Sequence, residues 1–263
     1  MNILNKIIKE KIKEVDELKE LYPVKLLERS IYFDTQAVSL KEYLKKENAS
    51  GIIAEFKRKS PSKAWINKYA DVEKVTLGYM QAGASALSVL TDKTFFGGSN
   101  DDLTKARKFN FCPILRKDFI IEEYQIYEAK SIGADAILLI AEVLDKTVLK
   151  NLAKKAHELG LEVLMEIHSE KQLNKLNEFV DVLGVNNRDL ETFEVSLEKS
   201  KNISKLLPSG LIKISESGIH APEDVNELKG FGFDGFLIGE RFMSTPRPQE
   251  ACKNFIRKVS SLR

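Results

Sequence analysis

The segment Gly51–Ser62 (GIIAEFKRKSPS) brings a carboxylate, several cationic side chains and a hydroxyl to the end of an apolar run. Glu55 interrupts Ile52, Ile53, Ala54 and Phe56, and Lys57, Arg58, Lys59 and Ser60 follow, so acid–base and anion-binding groups gather where a buried strand would stop. Charge at the start of a loop is also an ordinary solvated surface. The pattern recurs, however. Lys117 follows the run Ile114–Arg116, Glu166 ends Glu162–Glu166, Asn186 ends Val182–Asn186 with Arg188 close behind, and Glu216 and Ser217 follow Leu211–Ser215. Lysines, glutamates and an asparagine at successive strand ends suit general acid–base catalysis, because a lysine acts as an acid only while protonated and nearby carboxylates keep it so.

A second group lies in the last quarter, in Ser215–Ile219 (SESGI) and Leu237–Arg241 (LIGER). Gly218 and Gly239 let backbone amides approach an anion closely, and the hydroxyl of Ser60 can join them, so this region reads as a phosphate site. Two tight turns are the plainer alternative. Glu240 is an awkward neighbour for a phosphate, and its side chain is expected to point away while its amide contributes.

Positioning such groups requires regular elements. Eight strand-like runs are present: Ile52–Phe56, Ala86–Leu90, Ile114–Arg116, Ala136–Ile140, Glu162–Glu166, Val182–Asn186, Leu211–Ser215 and Gly235–Ile238. Helical patterns separate them, as in 145–160, where Asp145 can cap, Leu149, Leu152, Ala153 and Ala156 share a face, and Gly160 stops the helix. Strand alternating with helix implies parallel pairing, and eight units close into an α/β (β/α)8 TIM barrel whose site lies at the C-terminal ends of the strands. A doubly wound open sheet is the rival. Residues 1–50 precede the repeat, with Ile3, Leu4, Ile7, Ile8 and Ile12 marking an amphipathic helix expected to lie over the barrel. No linker divides the chain, so 1–263 is expected to be one barrel domain with 1–50 as an N-terminal helical extension.

Composition narrows the function. A net charge of +2 from 41 basic and 39 acidic residues gives no bulk attraction for nucleic acid or an anionic membrane. Cys112 and Cys252 have neither metal-type spacing nor disulfide density, and a reduced cytoplasm is expected. The stretch 230–235 has spaced glycines, but it follows a helix and precedes a strand, the reverse of a dinucleotide motif. His157, His168 and His220 share no ligand spacing and read as surface or supporting residues, and Trp65 is left as either site lining or a cover for the barrel mouth.

In chain order, IIAEFKRKSPS, LSVLTDKTFFGGS, PILRKDFI, VLMEIHSE, GVNNRDL, ISESGI and FLIGERFM resemble the indole-3-glycerol phosphate synthase family of tryptophan biosynthesis over nearly the whole chain. The resemblance implies a (β/α)8 barrel that closes the indole ring of 1-(2-carboxyphenylamino)-1-deoxyribulose 5-phosphate with loss of carbon dioxide and water, without cofactor or metal. It implies that Lys117 protonates the ribulose carbonyl, that Lys57 binds the departing carboxylate, and that Glu166 is the base for dehydration. Glu55 and Asn186 would position these groups, and Glu216 and Ser217 would complete the wall. Phe96, Phe119, Leu138, Leu190 and Ile238 would form an apolar slot for the anthranilate ring, and Arg188 would meet the substrate or a site carboxylate. The implied partner is a small phosphorylated substrate, with no nucleic acid or membrane, in a monomer or weak homodimer. The loop after Pro61 reads SKAWI where many relatives have a glycine. Two alternatives are a phosphoribosylanthranilate isomerase-like barrel, whose family uses a cysteine where this chain has Glu55 and Lys57, and a non-catalytic barrel that binds phosphorylated metabolites.

Overall fold

The computed structural model describes residues 3–189 and 192–262. Each apolar run forms a strand: β1 Ile52–Phe56, β2 Ala86–Leu90, β3 Ile114–Lys117, β4 Ala136–Ile140, β5 Glu162–Ile167, β6 Val182–Asn186, β7 Ile212–Glu216 and β8 Gly235–Ile238. Every strand pairs in parallel with the next and β8 returns to β1, so the barrel is closed, not an open doubly wound sheet. The ladder runs one residue further than expected in β3, β5 and β7. Lys117 and Glu216, expected just past their strands, are therefore held in the ladder, and Glu166 is followed by one more strand residue, Ile167.

Helices α1 Ile3–Leu21, α2 Val24–Leu27 and α3 Leu40–Lys45 precede the barrel. Around and after it run α4 Val72–Gln81, α5 Asn100–Phe109, α6 Tyr124–Ser131, α7 Lys146–Glu158, α8 Glu198–Ser204, α9 Pro222–Gly230, α10 Glu240–Met243 and α11 Pro248–Ser261. Asp71, Ser99 and Asp145 cap α4, α5 and α7 by accepting from first-turn amides. Between β5 and β6 there is only a 3-10 turn, Glu170–Lys175, where a full helix was expected. Beyond it the Asn177 side chain accepts from the Phe179 amide at 3.1 Å, a local bond that competes with helix continuation.

Alternation along the strands divides the apolar residues into two layers. Ile53, Leu115, Ala136, Leu138, Leu164, Val182, Ile214 and Leu237 fill the barrel, while Ile52, Ala54, Val89, Ile137, Met165, Val185 and Phe236 face the helices. The inward register continues upward from Ile53 to Glu55, from Leu115 to Lys117, from Leu164 to Glu166 and from Ile214 to Glu216. Stacked hydrophobic layers thus end in a ring of polar groups at one mouth.

Residues before β1 reach both ends of the barrel, not only the top. Leu40 and Leu44 of α3 join the interior cluster from below, where Ser39 donates to Glu162 at 2.5 Å. α1 covers the mouth, with Ile3, Leu4 and Ile7 lining the cavity there. Its buried face differs from the expected one: Ile12 is 49% exposed, and Lys11, one turn beyond Ile7 and one before Val15, is 1% exposed. Lys11 Nζ lies 2.9 Å from Asp118, 3.1 Å from Asp92 and 3.0 Å from Glu14. Asp118 also accepts from Thr91 and faces Arg116, which pairs with Glu128.

The buried ammonium thus ties α1 to the loops after β2 and β3. Lys11→Met should lower the unfolding free energy by about 3–5 kcal/mol, because it leaves buried carboxylates without their cation. Urea unfolding followed by circular dichroism measures this, and a loss below about 1 kcal/mol, the scale of an exposed pair, would show that Arg116 compensates.

Candidate active site

The strand ends converge on a cavity open to solvent, whose lining includes Glu55, Lys57, Lys117, Glu166, Asn186, Glu216 and Ser217. At its centre Lys117 Nζ donates to Glu166 Oε2 at 2.7 Å and to Glu216 Oε2 at 2.9 Å. Lys57 Nζ pairs with Glu55 Oε1 at 2.7 Å, and Ser88 donates to Glu55 Oε2 at 3.3 Å. Arg58 and Lys59, adjacent in sequence, turn elsewhere. Arg58 forms a two-point ion pair with Asp102 at 2.6 and 2.9 Å, and Lys59 donates to the Thr94 carbonyl at 2.7 Å.

Burial and charge set the protonation states. For Lys117, burial disfavours the ammonium, but Glu166, Glu216 and Glu55 outweigh it and raise the group well above the ordinary lysine range. For Glu166, burial opposes ionisation, yet Lys117, His168 and the Asn186 amide hold the carboxyl at about 2. Glu216 goes the other way. Burial, reinforced by Glu166 and opposed by Lys117, pushes it to about 8, and its Oε1 has no hydrogen-bond partner among the described residues. The centre thus sets an ammonium beside one carboxyl driven toward its ionised form and one driven toward its protonated form.

Local backbone makes room for this cluster. Gly184, between Glu166 and Ile214 in register, carries no Cβ where the Glu216 carboxylate lies, and a side chain there would collide with Oε1. Ser217 has φ +68°, in the left-handed region unfavourable for most residues. Asn187, buried behind it, donates to the Ser217 carbonyl at 3.0 Å and to Ser215 at 2.9 Å, which fixes that turn.

Phe96, Phe119 and Leu138 form an apolar side of the same cavity, the two rings 5.9 Å apart between centroids. Ile238 does not line it, because alternation turns that side chain out toward the helices and Leu237 faces inward instead. Leu190 lies outside the described residues. Ile140 and Leu90 add apolar surface not expected from the sequence, and α1, expected over the barrel, adds Ile3, Leu4 and Ile7. Ile140 was accessible to it, two residues beyond Leu138 on the same strand face.

A smaller hollow adjoins the cavity, lined by Arg188, Ser217, Gly218, Ile238, Gly239, Glu240 and Arg241. Ser60 lines the main cavity beside it. Glu240 does not point away as expected. It accepts from Lys63 at 2.6 Å and approaches Arg188 at 3.9 Å; burial opposes its ionisation, but Lys63, Lys57 and Arg188 hold its carboxyl below the ordinary range. The loop after β1 is thereby joined to the neighbouring loop after β8. Trp65 is half exposed beside Lys59 and Lys68 and is absent from the cavity lining. His157 pairs with Asp181 at 2.8 Å, far from this chemistry, and His220 also lines the smaller hollow. His168 is buried in the site itself, with Nε2 at 3.3 Å from Glu166 Oε1.

Fold and site together define a (β/α)8-barrel enzyme built around a buried lysine and its carboxylates. The family profile described as indole-3-glycerol phosphate synthase matches residues 4–255. The chain is 49% identical to the indole-3-glycerol phosphate synthase of Bacteroides thetaiotaomicron over 98% of its own length and 99% of that protein. It is 42% identical to that of Thermoanaerobacter pseudethanolicus over 98% of each. This chain belongs to the indole-3-glycerol phosphate synthase family. Among solved structures, thiamine phosphate pyrophosphorylase from Pyrococcus furiosus superposes with a TM-score of 0.60 over 85% of this chain and 98% of that one, at 17% identity, a likeness of fold alone. No helix among the described residues is long and apolar enough to cross a membrane.

The raised Glu216 has a consequence for stability. The folded protein retains a proton that the unfolded chain releases above the ordinary glutamate range, so stability falls as pH rises toward about 8. In Glu216→Gln the amide imitates the protonated acid at every pH. Its melting temperature should therefore change less than wild type between roughly pH 5 and 8, and equal slopes in the two proteins would mean that Glu216 is ionised when folded.

Proposed function

We propose that this chain converts 1-(2-carboxyphenylamino)-1-deoxyribulose 5-phosphate to indole-3-glycerol phosphate, with release of carbon dioxide and water. The observation that carries the reading is the Lys117 ammonium held at 2.7 and 2.9 Å by Glu166 and Glu216 at the edge of a cavity with an aromatic wall. Family membership supports the same assignment.

Lys117 is the general acid. It polarises and protonates the ribulose carbonyl oxygen as the aromatic carbon attacks, and its high proton affinity lets it reload from the neighbouring carboxyls. Lys57, fixed by Glu55, binds the carboxylate that departs. Glu166 offsets the cationic amine formed at ring closure and then takes the proton lost in dehydration. Asn186 steadies Glu166, while Glu216 and Ser217 close the wall. Phe96, Phe119 and Leu138 receive the anthranilate ring. The phosphate sits in the smaller hollow against amides near Gly218 and Gly239, with Ser60 and Arg188 beside it. Protein and substrate act as one barrel domain and a small phosphorylated molecule in the cytoplasm.

Incubation with this substrate should produce indole fluorescence. Lys117→Ala should lower turnover by about 10²–10⁴-fold, the range for a lost general acid, and a variant retaining more than about a tenth of wild-type turnover would remove Lys117 from that role. Inorganic phosphate should compete with substrate. Ser60→Ala should raise KM and largely keep kcat, as expected for uniform binding. Gly239→Val cannot isolate the phosphate contact, because a Cβ there falls 2.5 Å from Glu55 Oε1.

A further inference from the structure

His168 lies just past β5, two residues beyond Glu166. Its Nε2 is 3.3 Å from Glu166 Oε1, the carboxylate oxygen that Lys117 does not contact, since Lys117 donates to Oε2. The side chain is 8% exposed, and among the described residues neither ring nitrogen has a hydrogen-bond partner. Buried polar atoms are rarely left without partners, and each exception calls for a reason. The backbone holds the ring in place: the His168 amide donates to Gln172 Oε1 at 2.7 Å, and Gln172 in turn donates to Glu142.

From this geometry we infer that His168 is a positioning residue for Glu166, a neutral imidazole whose Nε2–H closes on Oε1 when Lys117 leaves Oε2 to serve the substrate. The inference rests on the proposed role of Glu166 as base. A buried carboxylate that loses its ammonium partner needs another donor to stay ionised. Around Glu166, Asn186 already contributes an amide, and His168 supplies the polar hydrogen that has no other partner. A hydrogen bond loose in the free enzyme that tightens during the reaction is common in active sites.

The groups facing the ring are consistent with a neutral imidazole. Burial is the largest influence and lowers its proton affinity; Lys199 and Lys117 act in the same direction, while Glu166 and Glu142 oppose them. His168 thus gives and takes no proton in this role. It differs from Asn186, which ends β6 and whose Oδ1 accepts from the Arg188 amide at 3.0 Å, so that Glu166 is approached from two different strands.

The test compares His168→Phe, which keeps a ring without donors, with His168→Gln, which returns an N–H near the Nε2 position. For His168→Phe, kcat should fall about tenfold or more, the scale of a lost hydrogen bond to a charged group, with KM within about twofold. The acid limb of its kcat–pH profile should move upward, because Glu166 becomes easier to protonate and must be ionised to act. His168→Gln should recover most of the turnover and return the limb toward wild type. A His168→Phe protein with wild-type kcat and an unmoved limb overturns the inference, as do equal losses in the Phe and Gln variants. Should the Phe variant not fold, His168→Leu replaces it with the same expected and contrary results. Glu166→Gln measured alongside separates the two claims: if it keeps turnover, the base assignment itself fails, and if it loses turnover while His168→Phe does not, only the positioning role fails.

Discussion

An ammonium group buried at the end of a hydrophobic barrel is tolerable only beside a counter-charge and with its donors satisfied, and the placement of Lys117 between Glu166, which supplies the charge, and Glu216, which accepts a further hydrogen bond, is the constraint on which the rest of the site depends. Lys57 has Glu55 as its own partner, so Glu216 is the carboxyl left without a separate cation, and burial keeps it protonated. A neutral acid beside an ionised one gives the centre a proton donor and a proton acceptor within reach of the same lysine. Environments that drive two carboxyls apart are a recurring means of assigning acid and base roles. The steric consequences follow from the same cluster, since Gly184 leaves space for Glu216 and Asn187 holds the Ser217 turn that follows it.

A second buried cation stabilises the scaffold around the first. Lys11 joins α1 to Asp92 and Asp118, and Asp118 immediately follows Lys117 in sequence. α1 is therefore part of the site's construction: its first turns line the cavity and its middle is locked to the loops that carry Phe96 and Phe119, the second of which leaves β3 directly after Lys117. Lys63 pairs with Glu240 between the neighbouring loops after β1 and β8, and the pair places a carboxylate beside the hollow where an anion is expected.

Much of this was legible in the sequence because a barrel imposes two simple periodicities. Strand runs, their order and the polar residues at their ends could be read directly, and they lie within one residue of their expected positions. What escaped depends on contacts between distant segments. Lys11 lies on a lysine-rich helix, where its charge alone gives no sign of burial, although its spacing from Ile7 and Val15 places it on the buried face. Ile238 was assigned to the cavity against strand alternation, which favours Leu237. His168 lacked any ligand partner along the chain, and its neighbour Glu166 becomes informative only when burial is known. Glu240 was expected to turn away from an anion site, but Lys63 and Arg188 come to it from other loops and make its inward position favourable. Trp65 and its loop carried no signal that distinguishes lining from cover.

The central claim is the protonation pattern around Lys117. Carboxyl carbon NMR of glutamate-labelled protein, assigned with Glu216→Gln and Glu166→Gln, reads it directly. The account predicts that the Glu216 signal titrates near 8 while that of Glu166 remains ionised down to about 2. A Glu216 signal titrating near the ordinary glutamate value of 4.5 would contradict it.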